Sequence, residues 1–322
     1  MRIVSALWNG PAPGAAVEIA SGRVSGATLE WRGDQAVISA HASEPLPDGA
    51  LAPALATVNL HDRPAVAGAL ARVLDRIGRP KRVGLVVPDV VAKISLVRFE
   101  QVPPRAQDLD QLIRWQVRKA APFPIEEGQL AYVPGIRVPD GQEFIVSLAR
   151  RAVVEEYEGL CAEAGAHAGL VDLSTFNVIN AVLSSGPPPA ADWLLVNLAA
   201  DYASIALMRG TDLIFFRNRV ADADGTLADL VHQTAMYYED RLGGTGFARV
   251  LLAGASSAGA RQAGDIEQVR RTLEERLTRP VDAVDPRASV AIADRITASP
   301  ALLDTLAPLV GLLLRDRQGA TV

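Results

Sequence analysis

The side chains best suited to chemistry are scattered along this chain rather than grouped. His41, His61, His167 and His232 show no i, i+4 pairing and no cysteine cluster accompanies them, so a metal site would need assembly from distant parts. Cys161, the single cysteine, lies between Leu160 and Ala162 with no basic neighbour, the setting of a small core residue rather than a nucleophile. Gly243-Gly244-Thr245-Gly246 has the composition of a phosphate cradle, yet it follows a helical pattern and precedes a strand, the reverse of the context such loops require, and reads as a helix stop. Glu239 and Asp240 lack a partnering motif and read as a solvated helix end. Ser256-Ser257 reads as a cap for a following helix with an exposed face of Asp265, Glu267, Arg270, Arg271, Glu274 and Glu275. There is no Gly-x-Ser-x-Gly elbow and no Walker-type loop.

Composition narrows the class. A chain of 322 residues, 49% hydrophobic, can bury a large core and form two lobes. A net charge of -5 argues against a polyanion-binding surface, and the Arg79, Lys81, Arg82 cluster is too brief to reverse that. One cysteine excludes an internal disulfide framework and points to the cytosol. The longest apolar stretches, near Leu251 and Leu312, fall well short of the ~20 residues of a membrane span.

The elements that must position any site repeat. Ala16 to Ala42 reads as strand, turn, strand, turn, strand, with Gly22 and Gly33-Asp34 at the turns. Trp193 to Val220 has the same layout, with Arg209-Gly210 at its second turn. Helices follow each block, over Arg63 to Ile77 and Gly225 to Leu242, as in an α/β duplication. Lys81 to Val97 reads as two strands broken at Pro88-Asp89, Phe144 to Leu148 as a strand, and Ala152 to Ala164 as a helix. The stretch between the lobes is therefore expected to be a compact strand-helix-strand insertion. Gly169 to Leu183 reads as a strand entering a helix capped by Asp172 or Ser174. Ser184 to Ala191 reads as the linker between lobes.

Leu109 to Tyr132 is the most legible segment. Leu109, Leu112, Ile113, Val117, Ala120 and Ala121 recur at helical spacing and predict one buried face. Asp108 and Asp110 in the first turn, with Arg114, Arg118 and Lys119 near the end, oppose the helix dipole favourably. Pro122 and Pro124 end the helix and drive Ala121 and Phe123 extended, which predicts Phe123 as a rigid apolar knob held out from the chain.

This order of elements, Trp115 on the helix, then Pro-Phe-Pro, Glu126, Glu127 and Tyr132, resembles the PilM family of type IV pilus assembly proteins. The paired tyrosines at Tyr237-Tyr238 leading into a glycine-rich strand end, and the closing helix Ser299 to Arg315, extend the resemblance over almost the whole chain. It implies an α/β, bilobed actin-like fold, a ribonuclease H-like duplication with a small inserted α+β subdomain. The implied division is a first lobe from 1–80 and 152–185, an insertion from 81–151 and a second lobe from 186–322. A relative, the actin-like domain of the secretion protein GspL, continues into a membrane helix, whereas this chain ends at Val322 without one.

Proteins of the actin-like class hold phosphates with two Asp-x-Gly hairpins, the carboxylate organising the metal's water shell and the glycine admitting backbone amides. Here Glu18 and Ala20 stand at the first hairpin, followed by Ser21-Gly22-Arg23. Asn197 and Ala199 stand at the second, and the adenosine turn keeps one glycine, Gly254. The resemblance thus implies a degenerate nucleotide cleft at Glu18, Ser21, Gly22, Arg23, Asn197 and Gly254, with no cofactor expected and ATP with Mg²⁺ as the ligand an intact cleft would take. It further implies a cytoplasmic docking component that binds the short cytoplasmic N-terminal tail of a PilN-like inner-membrane protein. Arg114, Trp115, Arg118, Phe123 and Tyr132 are the local candidates for that contact. The rival readings are an active actin-like ATPase and a sugar or acetate kinase-like phosphotransferase.

Overall fold

A computed structural model describes residues 13–187, 190–220, 226–255, 266–294 and 296–315. The first block forms β1 (Ala15–Ala20), β2 (Arg23–Arg32) and β3 (Gln35–Pro45), an antiparallel meander followed by α1 (Arg63–Arg76), whose Asp62 cap accepts from the Ala65 amide. β4 (Arg82–Val87) then runs parallel to β1. After a 3-10 turn at Asp89–Val91 come β5 (Ala92–Phe99), α2 (Ala106–Arg118), β6 (Gly128–Val138) and β7 (Gly141–Arg150). The chain returns through α3 (Arg151–Glu163) to β8 (His167–Leu173), parallel to β4, and α4 (Ser174–Ser184).

The plan repeats in β9 (Asp192–Leu198), β10 (Tyr202–Arg209), β11 (Asp212–Val220), α5 (Leu227–Leu242), β12 (Arg249–Ala253), α6 (Ile266–Leu277) and β13 (Val281–Ala283). β14 (Ala291–Ile292) and α7 (Pro300–Leu314) close the chain. One sheet has the order β14-β3-β2-β1-β4-β8 and another β11-β10-β9-β12-β13, so five strands of each share a topology. A separate sheet, β5-β7-β6, carries α2 on one face.

Sheet membership differs from the expected division in two places. β4 lies between β1 and β8, so the inserted sheet begins at β5 rather than at residue 81. The last stretch of the expected second lobe goes back to the first: β14 pairs with β3, and α7 packs on α4, β1, β2 and β4. The insertion also has one more strand than a strand-helix-strand unit. Pro134 and Gly135 look like breakers, but β6 is an edge strand and absorbs them in an irregularity between Pro134 and Arg137, where a missing amide hydrogen costs no ladder bond.

Local chemistry explains the other boundaries. α5 starts at a capping box, Thr226 accepting from the Asp229 amide while the Asp229 carboxylate accepts from the Thr226 amide, and it ends at Gly243 in the left-handed region at φ 65°. The residues of its expected start at Gly225, and Ser256-Ser257 and Asp265 ahead of α6, lie outside the described residues. The paired tyrosines divide their work. Tyr237 is exposed, whereas Tyr238 is buried, stacks on Phe247 and donates from its hydroxyl to Asp192 at 2.9 Å. Burial, then that hydrogen bond, pushes the Tyr238 hydroxyl up to about 12. Cys161 is fully buried, which pushes its thiol up to about 12 and leaves it inert, and Glu239 and Asp240 are exposed.

α4 departs from expectation. Its N-cap is Leu173, whose apolar side chain cannot accept a hydrogen bond, and Asp172 accepts from the neighbouring Leu173 amide at 2.8 Å instead of capping the helix. The cap comes from elsewhere in the chain: Asp89 accepts from the Thr175 amide at 2.9 Å. α4 and α7 touch at Gly311, where an added Cβ would come 1.7 Å from the Asn177 carbonyl oxygen. Gly311→Ala is therefore expected to cost about 3 kcal/mol or more, since neither helix backbone can yield cheaply. Urea melts should show a lowered midpoint with an unchanged slope.

Candidate functional site

The six residues expected around a degenerate nucleotide cleft, Glu18, Ser21, Gly22, Arg23, Asn197 and Gly254, all line one cavity of about 430 Å³ between the two large sheets. β1 and β2 carry Glu18 to Arg23 on one side, while β9, β10 and their turn carry Asn197 to Tyr202 on the other. Gly254 follows β12 at φ 73°, and a Cβ there would lie 2.0 Å from the Leu198 carbonyl oxygen, so glycine is required for the strands to approach.

Glu18 is buried and satisfied within the protein. Its Oε1 accepts from Ser174 Oγ at 3.2 Å, and its Oε2 accepts from Arg23 Nη2 at 3.0 Å and Ser25 Oγ at 3.4 Å. Asn197 donates from Nδ2 to Thr175 Oγ1 at 2.9 Å, and the Ala199 amide closes its turn on the Tyr202 carbonyl at 2.9 Å. The two hairpins meet directly, Ser21 Oγ donating to Asp201 Oδ1 at 3.0 Å across 180 residues of sequence. Burial raises the Asp201 carboxyl above the usual range, and the Ser21 hydrogen bond opposes that rise. As arranged, these residues do not fit a magnesium-bound polyphosphate. Both oxygens of Glu18 are engaged, Asn197 brings no charge, and the hairpin tips are bonded to each other.

Behind the cavity lies Asp89, fully buried, which the sequence marks only as a strand break. Its carboxylate accepts from Thr175 and, at 2.6 Å, from Ser204 Oγ. Its amide donates to the Tyr202 hydroxyl at 3.1 Å, and its carbonyl accepts from Asn218 Nδ2 at 3.2 Å. Burial raises the Asp89 carboxyl, and the hydrogen bonds from Ser204 and Thr175 oppose this. Asp201 and Asp89 are the residues that sequence reasoning missed. The signals were faint: an aspartate directly after proline at the end of an apolar run, and an aspartate at a hairpin tip.

The five tail-contact candidates fall on the insertion in three settings. Arg114 bridges Asp110 at 2.7 Å, and Tyr132 packs edge-on to Phe144; burial raises the Tyr132 hydroxyl, with the nearby Asp110 charge adding to it. Trp115 is 67% exposed, and Arg118 is exposed with it. Phe123 is not held out. It is half-buried and packs into the cluster of Phe144, Leu148 and Val117, because the extended Pro-Phe-Pro turn lies back over Gly128. Ala120, expected on the buried face, is exposed, since α2 ends at Arg118 and the stripe loses its period. A cavity of about 670 Å³ within the insertion is lined by Leu109, Val102, Arg137 and Phe144 and by none of the five. Among the described residues no group of three or more His, Cys, Asp or Glu is placed to hold a metal ion, and no helix is long and apolar enough to cross a membrane.

Two large sheets of one topology, facing each other across a cleft and carrying a small inserted sheet, define the class: a duplicated, bilobed actin-like α/β protein. The chain belongs to the family of type IV pilus assembly protein PilM, whose family model matches residues 16–241. A solved PilM–PilN type IV pilus biogenesis complex is similar over 95% of this chain and 99% of that chain, with a TM-score of 0.79 at 18% identity. The cytoplasmic domain of EpsL, an inner membrane component of the type II secretion system of Vibrio cholerae, is 12% identical with a TM-score of 0.47, covering 81% of this chain and 93% of that one. A Bacteroides thetaiotaomicron protein with an actin-like ATPase fold is 10% identical with a TM-score of 0.48, covering 86% and 91% respectively. No curated protein matches the chain significantly.

One buried group on β8 gives a pH test. Burial lifts Asp172 from 3.8 to about 6, against the Leu173 amide bond and the charge of Arg315. A raised folded value means that the native state holds its proton more tightly than the unfolded chain, so stability falls as pH rises from about 4 to about 6. Asp172→Asn keeps an acceptor for Leu173 and carries no charge. It should match wild type near pH 4 and exceed it above pH 7 by roughly 3 kcal/mol, the worth of the gap between the two values. Denaturant melts across that range read the difference.

Proposed function

We propose that this protein is a docking component of a type IV pilus or related secretion machine, holding the cytoplasmic N-terminal tail of a PilN-like inner-membrane protein on its inserted subdomain. It works in the cytoplasm, peripheral to the inner membrane through that partner, and it is not primarily an enzyme. The observation that carries the reading is the family match across residues 16–241, joined to whole-chain similarity with a PilM that was solved bound to PilN.

The insertion's chemistry suits an extended peptide. β6 is an edge strand, so one side of it offers backbone donors and acceptors, and the half-buried Tyr132 lies on it. Trp115 adds a large exposed apolar face, and Arg118 beside it supplies a charge for an acidic residue or terminus of the tail. Exposed aromatic and arginine side chains of this kind supply much of an interface's energy. Phe123 supports the surface from beneath, packed in the insertion's core.

A synthetic partner tail titrated by calorimetry should bind wild type, while Trp115→Ala and Arg118→Glu should each weaken it about tenfold or more. Phe123→Ala should act differently, lowering the melting temperature through lost packing. Unchanged affinity in both surface variants would remove this site.

A further inference from the structure

We infer that the cleft between the lobes is a latch made of the protein's own side chains, in which the Ser21–Asp201 hydrogen bond across the hairpin tips holds the lobes closed without a metal-bound nucleotide. It stands apart from tail docking, which the peptide titration tests separately.

Three residues of one stretch in the second lobe reach the first. Asp201 accepts from Ser21 at the cleft mouth at 3.0 Å. Tyr202, next in sequence, accepts from the Asp89 amide at 3.1 Å. Ser204, on the same strand, donates to the Asp89 carboxylate at 2.6 Å. This seam runs from the mouth to the floor of the cleft along β10.

The same seam removes what a magnesium-bound polyphosphate would use. An actin-like nucleotide bridges two hairpins and so ties the lobes together; here Ser21 and Asp201 make that tie themselves. Arg23 sits on Glu18 at 3.0 Å, so the positive charge balancing this carboxylate belongs to the chain rather than to a metal ion. To admit the nucleotide, the protein would have to break the Ser21–Asp201 bond and release Glu18 from Arg23, Ser25 and Ser174.

The test uses the full chain. Wild type should give no heat and no melting shift with millimolar Mg-ATP, and the same melting temperature in EDTA. Without nucleotide, Ser21→Ala and Asp201→Ala should each speed hydrogen exchange at the hairpin-tip amides around residues 20–22 and 199–202 about tenfold, while Asp201→Asn, which keeps an acceptor for Ser21, should retain wild-type protection. A melting temperature of wild type that climbs with Mg-ATP concentration would overturn the latch, as would hairpin-tip exchange left unchanged by Ser21→Ala. If Asp201→Ala does not fold, the comparison of Ser21→Ala with Asp201→Asn decides the matter alone.

Discussion

The structure depends on one buried carboxylate. Asp89 is out of contact with water, and an unpaired ion there would cost several kcal/mol, so everything around it is arranged to satisfy it. It receives the Thr175 amide and hydroxyl from α4 and the Ser204 hydroxyl from β10, while its own backbone is tied to Tyr202 and Asn218. The consequences spread outward. α4, whose own N-cap residue offers nothing, is fixed by a residue from the other side of β8. With α4 fixed, Ser174 reaches Glu18 and Thr175 reaches Asn197, which sets the walls of the cleft. The lobes cannot part at this point without stranding the charge.

Much of this architecture is legible in the sequence, and the limit of legibility has a physical cause. Strand meanders, tight turns and amphipathic helices follow from neighbours a few residues apart, so the two three-stranded blocks, α1, α2, α5 and the helix stop at Gly243 can be read directly. The six cleft residues, placed through the family resemblance, do converge on one cavity. What cannot be read is which sheet a strand joins. β4 has the same alternation whether it begins an insertion or fills the gap between β1 and β8, and two residues of β14 carry no signal that they return to β3. The polar joints are hidden for the same reason, since Asp89 meets Ser204 across 115 residues and Ser21 meets Asp201 across 180. Phe123 illustrates the local version: proline fixes its backbone as extended, but only the position of Gly128 and Leu148 beneath it decides that the ring turns inward.

Arg150 joins the two regions of interest. Standing where the insertion ends and α3 begins, it bridges Glu127, just after the Pro-Phe-Pro turn, at 2.9 Å and also donates to the Ala56 carbonyl. Ala56 belongs to the loop that runs over the cleft at Leu51 and Ala52 and is pinned below by Asn59 and Glu156. The insertion is therefore not a loose appendage. The turn that leads into β6 is tied in this way to the loop that lines the cleft.

The two regions differ in how their surface groups are settled. In the cleft, Glu18, Asn197, Ser21 and Asp201 all have partners within the chain, so a ligand must first break bonds worth about 1 kcal/mol each and then do better. On α2, Trp115 is 67% exposed, and covering a side chain of that size yields roughly 2–3 kcal/mol. The cleft has spent its polar groups on the protein's own cohesion, while the insertion keeps unspent apolar area on a rigid frame. Association is favoured where surface is exposed and ordered, which is why the proposed tail docking is placed at the exposed Trp115 of α2 and the edge of β6.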